Sequence, residues 1–309
     1  MAVHAQRKVW RIGFLSGRMK PEALGRDAHG AFLDGMRQLG YTENQDFIVD
    51  WRFAEGDFAR LPALATELVQ SNVDIIVTSP AIATRAARQA TSSIPIIFAY
   101  VSDPVASGLV VSLAKPGGNV TGLAVQQTDV TPKQLQLLKQ MLPNLLRVAV
   151  LSNPANTGSA VLVKRVHAEI EQASMTPEAL TAGSPSEIEQ VFAGLSPRKI
   201  DAVMVLPDPF FASQRHQLAR IAIEHRLPTI FGDPDYVEAG GLISYGDRLA
   251  SFIRQTTYYV DQIIKGAKPA DLPVQQPTRF ELAVNLKTAR ELGLKVPEMV
   301  LVIADQVIE

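Results

Sequence analysis

Five times in this chain a small polar or acidic residue stands directly before a proline at the end of an apolar run. The five are Thr78-Ser79-Pro80, Ser102-Asp103-Pro104, Ser152-Asn153-Pro154, Pro207-Asp208-Pro209 and Gly232-Asp233-Pro234. Ser, Asp and Asn accept hydrogen bonds from the free N–H groups of a helix's first turn, and proline fits the first helical position because its missing N–H had no partner there. The pattern therefore predicts five helix starts. A helix start presents N–H donors and a partial positive charge, which suits a carboxylate. Any one of these dipeptides is adequately explained as a structural cap. All five follow strand-like runs, and in open α/β sheets ligands bind outside the carboxyl ends of the strands. If two sheets face each other by those ends, the five caps converge on a cleft.

Well-marked catalytic chemistry is missing. The histidines are His4, His29, His167, His216 and His225, and no pair has the spacing of a helical zinc site. No phosphate-binding glycine loop and no G-x-S-x-G run occurs. Ser112-Leu-Ala-Lys115 matches S-x-x-K formally, but it lacks its partner motifs and reads as a helix end before Pro-Gly-Gly. Asp233 and Asp235 are spaced as a pair of acids could be, in a composition that is also common in loops. Cysteine is absent, which excludes disulfides, thiolate metal sites, a cysteine nucleophile and a lipid-anchored cysteine. The 30 basic and 31 acidic residues give a net charge of −1 without a basic stripe, so nucleic acid is not an expected partner. No apolar stretch approaches the roughly 18 residues that a membrane span needs.

The elements that must position these residues alternate. Short β-rich runs fall at Val9–Leu15, Phe47–Phe53, Asp74–Thr78 and Ile94–Tyr100, then at Leu146–Leu151, Ile200–Leu206, Pro228–Phe231, Leu242–Tyr245 and Phe280–Asn285. Between them lie segments with one apolar helical face: Ala28, Phe32, Met36 and Leu39; Leu61, Leu64, Ala65 and Leu68; Leu249, Phe252, Ile253, Thr256, Val260 and Ile263. Strand–helix alternation predicts parallel, doubly wound sheets covered on both faces. The alternation runs through once by Tyr100 and restarts at Leu146, so two α/β lobes of similar size are expected. The turn-rich Lys115–Gly122 approaches the first crossing, and the length after Tyr245 suffices to return and cross again. The expected division is 8–122 with 246–275, and 123–245 with 276–309. At the N-terminus, Val3-His4-Ala5 before Gln6 reads as the tail of a secretory cleavage site.

Several longer segments carry a family resemblance: Phe32-Leu-Asp-Gly-Met-Arg-Gln-Leu-Gly-Tyr41, Ile94–Pro104 running on to Pro116-Gly-Gly-Asn-Val-Thr-Gly122, Gly240–Gly246, Lys265–Pro277 and Asn285–Arg290. Through them nearly the whole chain resembles the ABC-transporter substrate-binding proteins that include tryptophan- and aromatic-amino-acid-binding members. The resemblance implies a type I periplasmic-binding-protein fold with two lobes joined by three hinge crossings. It implies a monomeric, exported, non-enzymatic protein that uses no cofactor, does not insert into the membrane, and delivers a small solute to a membrane permease driven by a separate ATPase. An amino acid or related carboxylate, aromatic by preference, is the expected ligand. By the same similarity Ser16, Ser79 and the N–H of Ala81 would hold a carboxylate, and Tyr100, Ser102 and Asp103 would line one wall. Asn153, Asp208 and Asp233 would face them, with Phe231 and Tyr245 stacking on the ligand. One departure weakens the carboxylate cradle: many relatives carry glycine before the hydroxyl residue after the third strand, whereas Thr78-Ser79-Pro80-Ala81 places a residue without an N–H there. Alternative readings are a ligand sensor of the same fold that signals to a receptor, a repressor's effector domain, and an α/β enzyme using the cleft acids.

Overall fold

The computed structural model describes residues 8–20, 30–101, 103–125, 127–156, 159–195, 199–276 and 280–309. The segment Val3-His4-Ala5 and Ser102 lie outside the described residues. In chain order come β1 (Trp10–Ser16), α1 (Gly30–Gln38), β2 (Phe47–Phe53), α2 (Leu61–Gln70), β3 (Ile75–Ser79), α3 (Ala81–Ala90), β4 (Ile96–Val101) and β5 (Val120–Ala124). Next are α4 (Gln127–Met141), β6 (Arg147–Ser152), α5 (Ser159–Gln172), β7 (Thr176–Thr181), α6 (Pro185–Ala193) and β8 (Ala202–Val205). They are followed by α7 (Pro209–Ser213), α8 (Arg215–Glu224), β9 (Thr229–Phe231), α9 (Asp235–Glu238), β10 (Ile243–Gly246) and α10 (Leu249–Ile264). The chain ends with β11 (Glu281–Asn285), α11 (Leu286–Glu291), α12 (Glu298–Ile303) and β12 (Gln306–Ile308). These elements form two compact units, Met1–Val125 with Leu249–Gln276 and Gln126–Arg248 with Pro277–Glu309, so the chain passes from one to the other three times.

The first unit holds a five-stranded sheet in the order β2-β1-β3-β4-β5, every pair parallel. Alternate residues of each strand feed opposite faces. Ile12, Phe14, Ile75 and Val77 pack with Phe32 and Met36 of α1 and with Phe252, Ile253 and Val260 of α10. Leu15, Ile76 and Phe98 pack with Leu61, Leu64 and Leu68 of α2 and Ala83 and Ala87 of α3. The apolar stripe of α10 is thus explained by the first unit's core, although the helix is separated in sequence from every strand it covers.

The second unit holds a seven-stranded sheet in the order β12-β11-β10-β9-β8-β6-β7. Val148, Val150, Met204, Ile230 and Ile243 pack on one face with Leu135 and Leu138 of α4 and Leu162, Val166 and Ile170 of α5. Leu151, Val203, Val205 and Phe231 pack on the other with Ile188 and Phe192 of α6 and Leu218 and Ile221 of α8.

Two expectations are corrected here. The second sheet is not wholly parallel: β10 and β11 run antiparallel, with Gly246 opposite Glu281. The chain leaves this unit at the end of β10 and re-enters it at the start of β11, so no crossover within the unit sets β11 parallel to β10. Three strands were also absent from the sequence reading. β5 begins inside the Lys115–Gly122 run that reads as the approach to the first crossing, β7 is a partly exposed strand at the sheet's edge containing Pro177, and β12 has three residues. Proline belongs on an edge strand because only there does its missing N–H break no ladder.

Candidate functional site

Three adjacent parallel strands of the second unit, β6, β8 and β9, each run into an Asx-Pro turn. In each turn a side-chain oxygen accepts a bond from the N–H two residues on: Ala155 to Asn153 Oδ1 at 3.0 Å, Phe210 to Asp208 Oδ1 at 2.9 Å, and Asp235 to Asp233 Oδ1 at 3.0 Å. The proline supplies a preset φ and the Asx side chain closes the turn. Asn153, Asp208 and Asp233 are nevertheless buried, at 3%, 7% and 6% exposure. The same turn repeated on neighbouring strands sets three polar groups in a row along one carboxyl edge.

Asp208 is held by several donors. Its Oδ1 also accepts from Asn153 Nδ2 at 3.0 Å, and its Oδ2 accepts from Asn156 Nδ2 at 2.9 Å. Burial pushes its carboxyl above the usual range, against the donors from Asn153, Asn156, Phe210 and Phe211. With both oxygens engaged, Asp208 organises the two asparagines and has little capacity left for a ligand. Asp208 is also the one member of the five that is the side-chain N-cap of an α-helix with Pro at the first position.

The other four expected helix starts differ. At Asp233 the cap position of α9 is Pro234, one residue later. Asn153 opens a turn, and α5 begins only at Ser159. Asp103 accepts from Ala106 N at 2.8 Å and opens a run of turns rather than a helix. The Ser79–Pro80 peptide is cis, and Pro80, which has no side-chain acceptor, is the N-cap of α3. A cap needs its side chain within reach of the first-turn N–H groups, and a turn inserted between strand and helix removes that reach.

In the first unit, Ser16, Ser79 and Tyr100 lie at the ends of the adjacent strands β1, β3 and β4. Ser16 and Ser79 are register partners, and Gly17 N donates to Ser79 O at 2.9 Å. Ser16 Oγ accepts from Arg18 N at 3.2 Å. Ala81 is the first residue of α3, where no carbonyl lies one turn back to take its N–H. Tyr100 adopts φ +62° beside an irregularity in the β4–β5 pairing, an uncommon conformation for an aromatic residue. Its ring meets Phe252 edge-on at 5.1 Å.

The expected aromatic stacking partners separate. Phe231 is 1% exposed and lies against Tyr236 with ring centres 4.5 Å apart and planes at 13°, so its faces are committed to the core. Tyr245 is half-buried, 5.7 Å from Phe280, and its phenol is pushed up by burial and by Asp305 and Asp247.

Asp247 and Gln134 were missed in the sequence. Asp247 follows β10, next to β9 in the sheet, and its carboxyl is raised to about 7 by burial and by the neighbouring charges of Glu281 and Asp233. The dipeptide Gly-Asp ends both strands, Gly232-Asp233 and Gly246-Asp247, and that repetition was the available signal. Gln134 of α4, 1% exposed, donates from Nε2 to Tyr245 O at 2.8 Å and Phe231 O at 3.3 Å, bridging the two strand ends. Its position was invisible because only tertiary packing brings α4 across β10.

Two α/β units joined by three chain passages, each with polar groups along the carboxyl edge of its sheet, have the type I periplasmic-binding-protein fold, the fold of solute-binding proteins. The family described as ABC transporter substrate binding protein matches residues 22–308, and the chain belongs to it. A curated relative, the tyrosine-binding protein of Clostridioides difficile, is 26% identical over 268 residues, 87% of this chain and 77% of that protein. An ABC domain from Streptococcus pneumonia, solved in complex with L-Trp, is 30% identical with a TM-score of 0.87 over 97% of this chain and 100% of that one. A conserved domain protein from Vibrio cholerae is 28% identical with a TM-score of 0.89 over the same shares. Substrate-binding proteins of this family are extracytoplasmic, bind small-molecule ligands and work with an ABC permease. Among the described residues no helix is long and apolar enough to cross a membrane.

Proposed function

We propose that this chain is the exported, periplasmic solute-binding component of an ABC importer and that it captures an amino acid, aromatic by preference, by hinge closure of its two units. The observation that carries the reading is the row of buried Asx side chains on the second sheet, combined with relatives named for tyrosine binding and solved with L-Trp. In this reading Ser16, Ser79 and the N–H of Ala81 receive the ligand carboxylate, with Pro80 limiting the cradle to fewer N–H donors. Asp103 and Tyr100 border that end. Asn153 and Asp233 meet the ligand from the second unit, Asp208 holds Asn153 in place, and Tyr245 offers the aromatic surface. In this reading closure is driven by ligand contacts available only in the closed form.

Native mass spectrometry of the freshly purified protein, followed by a thermal-shift screen of amino acids and aromatic acids, tests the reading. Tyrosine or tryptophan is expected to give the largest shift. No shift with any amino acid overturns it.

A further inference from the structure

We propose that Asp247 is a further ligand-recognition residue, which together with Asp233 takes the ammonium group of the bound amino acid, and that Gln134 is the positioning residue that sets the two carboxylates side by side. The proposal rests on the reading of the chain as an amino-acid-binding protein and names one subsite within it.

Three observations carry it. First, the ends of β9 and β10 are built to approach closely. A Cβ on Gly246 would lie 2.2 Å from Gly232 O, a distance no side chain tolerates, and the next residues are Asp247 and Asp233. Second, the buried Gln134 carboxamide fastens the same ends, bonding Phe231 O and Tyr245 O, each two residues before one of the acids. Its Oε1 is buried without a hydrogen-bond partner. Third, among the described residues Asp247 makes no hydrogen bond and no ion pair. The neighbouring cation, Arg248, turns instead to Asp235 at 2.8 Å, Glu238 at 2.9 Å and Glu281 at 3.8 Å.

Among the described residues the charges that act on Asp247 are Glu281 on β11 and Asp233 after β9; Asp235 and Glu238 on α9 pair with the adjacent Arg248, Arg215 on α8 also acts on Glu238, and Asp305 before β12 acts on Tyr245. Asp247 therefore faces carboxylates with no cation of its own. A ligand ammonium between Asp247 and Asp233 removes that repulsion and adds two charge-assisted bonds. With the free carboxyl raised to about 7, an ammonium must displace a proton in mildly acid solution. The dissociation constant then rises about tenfold from pH 8 to pH 6.

Calorimetry at pH 6 and pH 8 with L-tryptophan and with indole-3-propionate, the same molecule without its amino group, decides the matter for wild type, Asp247→Asn, Asp247→Ala and Gln134→Met. For both Asp247 variants L-tryptophan is expected to bind at least tenfold more weakly at pH 8 with its pH dependence gone, while indole-3-propionate is unaffected. Gln134→Met is expected to keep a pH dependence with a displaced midpoint, which a merely structural defect would not produce. Wild type binding L-tryptophan while the Asp247 variants keep its affinity or its pH dependence overturns the inference and leaves the functional reading intact. Wild type binding no amino acid overturns both.

Discussion

At the scale of single residues, Asp208 and Asp247 are opposite cases of a partly or fully buried carboxylate. Asp208 is satisfied by donors from Asn153, Asn156 and Phe210. Asp208→Ala leaves those buried donors unpaired and should cost about 2–3 kcal/mol of stability, read from urea unfolding of the ligand-free protein. Asp247 is raised by burial and by the like charges of Glu281 and Asp233, and its carboxyl binds a proton more tightly in the fold than in the unfolded chain. That extra proton affinity stabilises the fold fully below the ordinary carboxylate value of about 4, and the contribution is lost as the pH rises towards 7. Asp247→Asn, which stays neutral, should therefore melt at or above wild type at pH 8, with the advantage shrinking towards pH 5. A lower melting temperature at pH 8 would contradict that account.

At the scale of elements, the decisive geometry is the contact between strand ends. Gly246 is required because Gly232 O occupies the space its Cβ would fill. Gly246→Ala is expected to push the end of β10 away from β9, lowering the melting temperature and weakening amino-acid binding together. Tyr258→Ala, at an exposed position of α10, should leave binding unchanged. The three Asx-Pro turns on β6, β8 and β9 are one local solution used three times, and the sheet order turns them into a row. None of the three is distinctive alone; adjacency in the sheet makes them a surface.

At the scale of the whole molecule, the two units differ in what they present. The first offers hydroxyls and a helix start, Ser16, Ser79 and Ala81; the second offers amides and carboxylates. In the proposed reading a zwitterion's carboxylate is assigned to the first of these groups and its ammonium to the second. An amino acid held in this way at a hundred times its dissociation constant should stabilise the protein by about 2.7 kcal/mol. Small-angle scattering should show a smaller radius of gyration with ligand than without. An unchanged radius at saturation would exclude hinge closure while leaving binding itself in place.

Periodicity alone located nine strands and the buried stripes of α1, α2 and α10, because apolar spacing reports a buried face directly. It passed over β5, β7 and β12, where glycine, proline or brevity hides the pattern, and it could not foresee that β11 runs against β10. Composition set the class of chemistry, and the Asx-Pro signature marked the ends of three strands that do lie side by side. Which of those polar groups remain available was decided only by tertiary structure. Asp208 is consumed by two asparagines distant in sequence, Phe231 stacks on Tyr236, and α4 carries Gln134 across the ends of β9 and β10. Local sequence determines where a strand stops and which residue stands there. The partners that satisfy, bury or expose that residue come from other segments of the chain, and only folding brings them to it.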